Sequence, residues 1–170
     1  MPLSFLPRVL TRSLTDLTPE YLLGKGIRLL MMDFDNTIVP YTTDMPTEKM
    51  AAWLEEMNAS PVKIAIVSNS KNERLIRFCT TYSLDYIMRA HKPSAKGLRE
   101  CMARFGFRPE EAAIVGDQIF TDTLAGNLAG VMPILVDAID NHTIWLKARH
   151  VLELPFLFAA RKRRMERGKT

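Results

Sequence analysis

Cysteine is nearly absent from this chain: two residues in 170, Cys79 and Cys101, with 21 residues between them. That spacing suits neither a zinc site nor a disulfide framework, and it points to reduced thiols on helices of a cytosolic protein. Histidine is equally scarce. His91, His142 and His150 share no ligand spacing, so a histidine-built metal site is not expected, and only His91 lies near other polar motifs. No apolar run approaches the roughly 18 residues of a membrane span, and the N-terminal MPLSFLPRVLTRSL lacks the continuous apolar block of a signal peptide. The expectation is a protein that is neither secreted nor integral to a membrane. No glycine-rich nucleotide loop and no Ser/His/Asp arrangement is present either.

Net charge is scarce in the body of the chain. The net charge is +4, yet residues 161–170, RKRRMERGKT, carry six Lys/Arg against one Glu. The remaining 160 residues are close to neutral, so the basic character belongs to a tail.

What is present is a composition, 47% hydrophobic and 25% charged, ordinary for a globular protein and sufficient for one core. A single domain over 1–160 followed by the basic tail 161–170 is expected. Short apolar runs at 27–35, 62–69, 84–90, 111–117 and 131–137 alternate with amphipathic segments at 47–57, 72–82, 94–106 and 120–130. Continuous apolar strands separated by helices predict an α/β fold of the Rossmann-like, three-layer αβα kind, with a five-stranded parallel sheet covered on both faces.

In such sheets ligands bind beyond the carboxyl ends of the strands. The strand ends here carry Asp33 and Asp35, then Ser68 and Asn69, then His91 and Lys92, then Asp117. The first stretch, LLMMDFDNTIV over 29–39, sets two carboxylates at the end of a buried strand, where uncompensated charge is costly. Residues i and i+2 of an extended chain face the same way, so both aspartates can address one ligand.

DFDNT, the Ser of VSNS, the Lys of HKP and GDQIFTD, in this order, resemble the four motifs of the haloacid dehalogenase-like superfamily of phosphohydrolases. The likeness spans 28–137. The short layout and the LPxxL and VGDQIFTD segments are similar to the cap-free, IIIA-type, YqeG-like branch, itself similar to the phosphatidylglycerophosphate phosphatases of mitochondria. The resemblance implies a Mg²⁺-dependent phosphatase in which Asp33 attacks phosphorus and forms an aspartyl-phosphate, while Asp35 serves as acid and then base. It further implies Thr37, Ser68, Asn69 and Lys92 as phosphate-binding groups. Metal ligation falls to Asp33, Asp117 and the backbone carbonyl of Asp35, an all-oxygen set suited to Mg²⁺. Asp122, just inside the next helix, is expected to orient metal waters or Lys92.

Thr37 to Ser68 spans 31 residues and Ser68 to Lys92 spans 24, which leaves no room for a cap domain. An open site suits a large substrate, and the resemblance extends to phosphatidylglycerophosphate. Residues 5–17 place Leu6, Val9, Leu10, Leu14 and Leu17 on one helical face, and residues 151–169 join an apolar stretch to the basic tail. Such segments suit peripheral contact with a phospholipid surface at the inner membrane face, or else simple packing on the sheet. RNA or ribosome contact would use the same charges, but no aromatic-basic stacking pattern accompanies them. Other readings are a phosphatase on a protein, nucleotide or RNA-linked substrate, and a non-catalytic receiver-like or binding domain.

Overall fold

The computed structural model describes residues 4–43 and 45–140 together with Pro155, Phe158 and Ala159. Its centre is a parallel sheet of six strands: β1 (Val9–Leu10), β2 (Leu29–Met32), β3 (Lys63–Val67), β4 (Asp85–Ile87), β5 (Ala112–Gly116) and β6 (Met132–Leu135). Their spatial order is β1-β6-β5-β2-β3-β4, with β2 registered against β3 and β5 so that Met32 lies beside Ile66 and Val115. Five helices connect them: α1 (Pro19–Gly24), α2 (Glu48–Ala59), α3 (Glu73–Thr81), α4 (Lys96–Phe105) and α5 (Leu124–Ala129).

Local sequence explains the boundaries. Thr47 and Asn72 cap α2 and α3 by accepting from the Met50 and Leu75 amides, at 3.2 and 3.0 Å. Gly106 ends α4 in the left-handed region at φ 73°, a conformation that costs glycine little.

The strand period of two sorts β2 between two cores. Leu30, Met32 and Phe34 join the layer that holds Trp53, Leu54, Leu75 and Phe78, whereas Leu29 and Met31 join the layer of Leu98, Cys101 and Ala125. Both faces are therefore covered, as the uninterrupted apolar runs predict. Both cysteines lie on helices, buried and free.

The sixth strand is the departure from the sequence expectation. The segment 5–17 does not form an amphipathic helix: Val9 and Leu10 pair with Ile134 and Leu135, and Ser13 then caps a single 3-10 turn over Leu14–Asp16. Pro7 and β-branched Val9 disfavour helix there. Leu14 and Leu17 are 1% exposed and belong to the core, so this part of the chain packs on the sheet. The segment 151–169 lies outside the described residues apart from the exposed Pro155, Phe158 and Ala159, and His142, His150 and the tail lie outside them altogether. No helix among the described residues is long and apolar enough to cross a membrane.

Between β2 and β3 the described residues form one loop and α2, and between β3 and β4 only α3, so no cap domain is inserted.

Candidate active site

Beyond Met32 the central strand opens into Asp33, Phe34 and Asp35. Phe34 turns into the core, 5.2 Å edge-on from the Phe78 ring of α3, which leaves the two aspartates on the opposite side at the carboxyl edge of the sheet. Asp33 is tied back to the neighbouring strand by its amide, 2.9 Å from the Val115 carbonyl. Asn36 follows at φ 67°, a left-handed turn that asparagine tolerates better than most residues.

Three carboxylates meet at that edge. Oxygens of Asp33, Asp117 and Asp122 all lie within 4.8 Å of one another, and each residue is buried. Lys92 reaches into the group from the segment after β4. Its ammonium donates to Asp33 Oδ1 at 2.6 Å and to Asp122 Oδ1 at 2.7 Å, with 2% of the side chain exposed. Burial alone would favour the neutral amine, but the Asp122 and Asp33 carboxylates outweigh it and hold the lysine protonated, above its ordinary range. Burial also pushes the Asp33 carboxyl up, to about 6, with Lys92 opposing and Asp122 adding to the rise. The cluster sets three buried carboxyl groups against one ammonium, an excess of acidic groups over the cation that faces them. An all-oxygen, buried donor set with that excess charge fits a hard divalent cation such as Mg²⁺.

The surrounding residues divide the work of holding this group. Asp122 Oδ2 accepts from the Gln118 amide at 3.2 Å while Oδ1 meets Lys92, so both oxygens are committed. Asp122, expected to orient metal waters or Lys92, contacts the Lys92 ammonium. Its close approach depends on Gly116, where an added Cβ would stand 2.3 Å from Asp122 Cγ. Asn69 clasps the Lys92 main chain in both directions, accepting from its amide at 2.7 Å and donating to its carbonyl at 2.9 Å. Its side chain is thus spent on fixing Lys92, and the phosphate contact expected of Asn69 belongs to its backbone amide.

Ser68 is 2% exposed and its Oγ accepts from the Ser70 amide at 3.1 Å. Helix α3 starts only at Glu73, capped by Asn72, and Ser68 is therefore not its cap. Thr37 Oγ1 approaches Asp117 at 3.5 Å, and not Asp33. His91 is exposed at φ 56°.

Asp35 stands beside the carboxylate cluster without joining it. Its side chain pairs with Arg74, its pKa is raised by burial and lowered by Arg74 and Lys92, and among the described residues none of the loop's backbone hydrogen bonds ends on its carbonyl.

Sequence reasoning missed three participants. Arg74 looks like an ordinary polar position of an amphipathic helix. Asn36 joins the strand end to the chain after β6 by donating to the Asp140 carbonyl at 2.7 Å and accepting from its amide at 2.8 Å. Its place inside DFDNT was the available signal. Gly116 precedes Asp117 in GDQIFTD, and only the fold brings Asp122 over it.

Comparison with known proteins gives the family and the fold. The model of the family described as "Haloacid dehalogenase-like hydrolase" matches residues 40–136. The protein named "Probable phosphatase YqeG" of Bacillus subtilis (strain 168) is 32% identical over 132 residues, covering 78% of this chain and 77% of that one. The chain belongs to the haloacid dehalogenase-like hydrolase family. Solved structures add the fold: 3-deoxy-D-manno-octulosonate 8-phosphate phosphatase from Yersinia pestis superposes with a TM-score of 0.53 at 18% identity, covering 74% of this chain and 71% of that one. The enzyme of the same name from Moraxella catarrhalis, in complex with magnesium, phosphate and KDO, gives a TM-score of 0.53 at 17% identity, covering 71% and 75%. At such identities the likeness speaks for architecture alone. The family match begins after Thr37, so the roles of Asp33 to Thr37 in this member are argued from geometry.

Proposed function

We propose that this family member is a divalent-cation-dependent phosphomonoesterase that works through an aspartyl-phosphate on Asp33. The observation that carries the reading is Lys92 bridging Asp33 and Asp122 inside a buried carboxylate cluster at the carboxyl edge of the sheet. A buried carboxylate beside a fixed ammonium suits in-line attack on phosphorus, because the ammonium offsets charge on the transferring oxygens.

In the first half-reaction the Asp33 carboxylate attacks phosphorus, the ester P–O bond breaks, and the leaving oxygen takes a proton from Asp35. In the second, Asp35 takes a proton from water as that water attacks phosphorus, the Asp33–phosphorus bond breaks, and inorganic phosphate departs. Lys92, Ser68 and Thr37 hold the phosphoryl oxygens, and Asn69 and Asp122 keep Lys92 in place. Asp33, Asp117 and the Asp35 carbonyl are the groups that would hold Mg²⁺, which when bound offsets the remaining negative charge.

A phospholipid monoester such as phosphatidylglycerophosphate is the substrate we favour. The cap-free mouth supports it, because a large headgroup surface can take the place of a lid. Tyr41 and Met45 on the loop after β2 and Ile139 beside Asn36 are 48%, 70% and 47% exposed, an apolar rim on segments that border the site. Lys71 and Arg89 stand exposed near the same edge, the Arg89 amide 3.3 Å from the Ser70 carbonyl. Peripheral contact with an anionic bilayer follows from that arrangement and from the basic tail. The test is phosphate release with Mg²⁺ from phosphatidylglycerophosphate in mixed micelles, sugar phosphates, nucleotides and phosphoproteins, with EDTA and Asp33→Asn as controls. Metal-dependent hydrolysis of the lipid alone supports the whole reading. Hydrolysis only of soluble esters removes the lipid, and no hydrolysis of any removes the enzyme.

A further inference from the structure

Arg74 is the least expected residue of the site. It sits in the first turn of α3 and reaches across to the loop after β2. One arm of its guanidinium, NH2, pairs with Asp35 Oδ1, and both side chains are mostly buried, 16% and 18% exposed. The other arm, NH1, donates to three main-chain carbonyls of that loop: Pro40 at 3.1 Å, Tyr41 at 2.8 Å and Thr43 at 3.1 Å. The guanidinium carbon also stands 4.9 Å from the centre of the Phe34 ring, which is itself held edge-on by Phe78. Asp35, Phe34 and the loop thus meet on one rigid, planar cation.

This arrangement has a directional consequence. With Oδ1 committed to Arg74, proton exchange at Asp35 falls to Oδ2, which has no hydrogen-bond partner among the described residues. Three convergent carbonyls on one nitrogen hold the irregular loop, so the same cation fixes both the loop and Asp35 beside it. A lysine ammonium could satisfy the carbonyls or the carboxylate, but it lacks the two-armed fork that serves both.

We propose that Arg74 is a positioning residue for proton transfer: it aims Asp35 Oδ2 at the leaving oxygen and holds the 40–43 loop around it. The proposal rests on the reading of Asp35 as the acid and base. It predicts a defect that depends on the leaving group, because an alkoxide needs a proton as it departs and a dinitrophenolate does not.

The experiment compares kcat/KM for a simple alkyl phosphate and for 2,4-dinitrophenyl phosphate with Mg²⁺, in the parent protein, Arg74→Ala, Arg74→Lys, Asp35→Asn and the Asp35→Asn/Arg74→Ala double variant. A positioned acid contributes about 10²–10⁴-fold, so Arg74→Ala is expected to lose on the order of 10–100-fold on the alkyl ester and under about 3-fold on the activated one. The double variant should be no worse than Asp35→Asn, guanidinium ion should restore part of the Arg74→Ala loss, and Arg74→Lys should not. Equal losses on both esters, a KM effect without a kcat effect, or additive losses in the double variant overturn the proposal while leaving the hydrolase reading intact. An Asp35→Asn variant with no leaving-group dependence overturns the proposal together with the acid and base role of Asp35. Should Arg74→Ala fail to fold, Arg74→Lys alone decides, since wild-type discrimination between the two esters would refute the need for a guanidinium.

Discussion

Replacing Lys92 with methionine, Lys92→Met, removes the charge that holds the carboxylate cluster together while keeping most of the side chain's apolar stem. Oxygens of Asp33 and Asp122 then face one another within 4.8 Å with no cation between them. At an effective dielectric of ~20 the repulsion of two unit charges at that distance is about 3.5 kcal/mol. Removing one member of a buried ion pair costs a similar ~3–5 kcal/mol. For a domain of this size that corresponds to a fall in Tm of about 6–20 °C.

The loss must depend on pH in a definite sense. The folded-state pKa of Asp33 is raised from 3.8 to about 6, so ionising this carboxyl costs folded-state stability as pH climbs through that window. Without Lys92, which lowers it, the pKa rises further and the window extends upward. Thermal unfolding in EDTA should therefore show the full deficit of Lys92→Met at pH 8 and a much smaller one at pH 5, where Asp33 carries a proton and the repulsion is gone. An equal deficit at both pH values, or less than about 1 kcal/mol at pH 8, would refute the account of Lys92 as the counter-charge of the cluster.

Three further outcomes are expected. In the metal-free protein, carboxyl NMR should find Asp33 titrating near 6, and Asp122→Asn should bring it down, since a like charge is removed; a rise would contradict the charge balance drawn above. Gly116→Ala places a Cβ 2.3 Å from Asp122 Cγ and should cost about 1–3 kcal/mol together with most turnover, because the Asp122 carboxylate has to leave Lys92; unchanged kcat would show that Asp122 is dispensable there. Cys79 and Cys101, with thiols pushed up to about 12 chiefly by burial, should resist a disulfide reagent at pH 8 until the protein unfolds, and prompt labelling of either would contradict its placement in the core.

Much of this protein is legible along the chain. Five of the six strands fall within largely apolar runs because both faces of a parallel sheet are covered, with β2 and β5 buried throughout and the edge strand β4 only in part. The helices between them show their three- and four-residue spacing and their caps at Thr47 and Asn72. The carboxyl-edge rule then gathers Asp33, Asp35, Ser68, Lys92 and Asp117 without any coordinate, since strand direction alone decides which end of each strand faces the ligand. The first strand escaped because two paired residues carry too little periodicity to outweigh a leucine spacing that also fits a helix.

Tertiary structure alone decided how the collected side chains are spent. That the Asn69 side chain clasps the Lys92 backbone at 2.7 and 2.9 Å, that Thr37 approaches Asp117 at 3.5 Å and that Asp35 takes Arg74 as its cation all depend on how segments far apart in the chain pack together. Arg74 is the clearest case. Its sequence neighbours make it one polar residue of an amphipathic helix, and only the crossing of α3 over the loop after β2 turns it into the partner of Asp35. Periodicity records which face of an element is buried. It holds no information on which polar group lies opposite, because hydrogen bonds and ion pairs are set by the packing of whole elements.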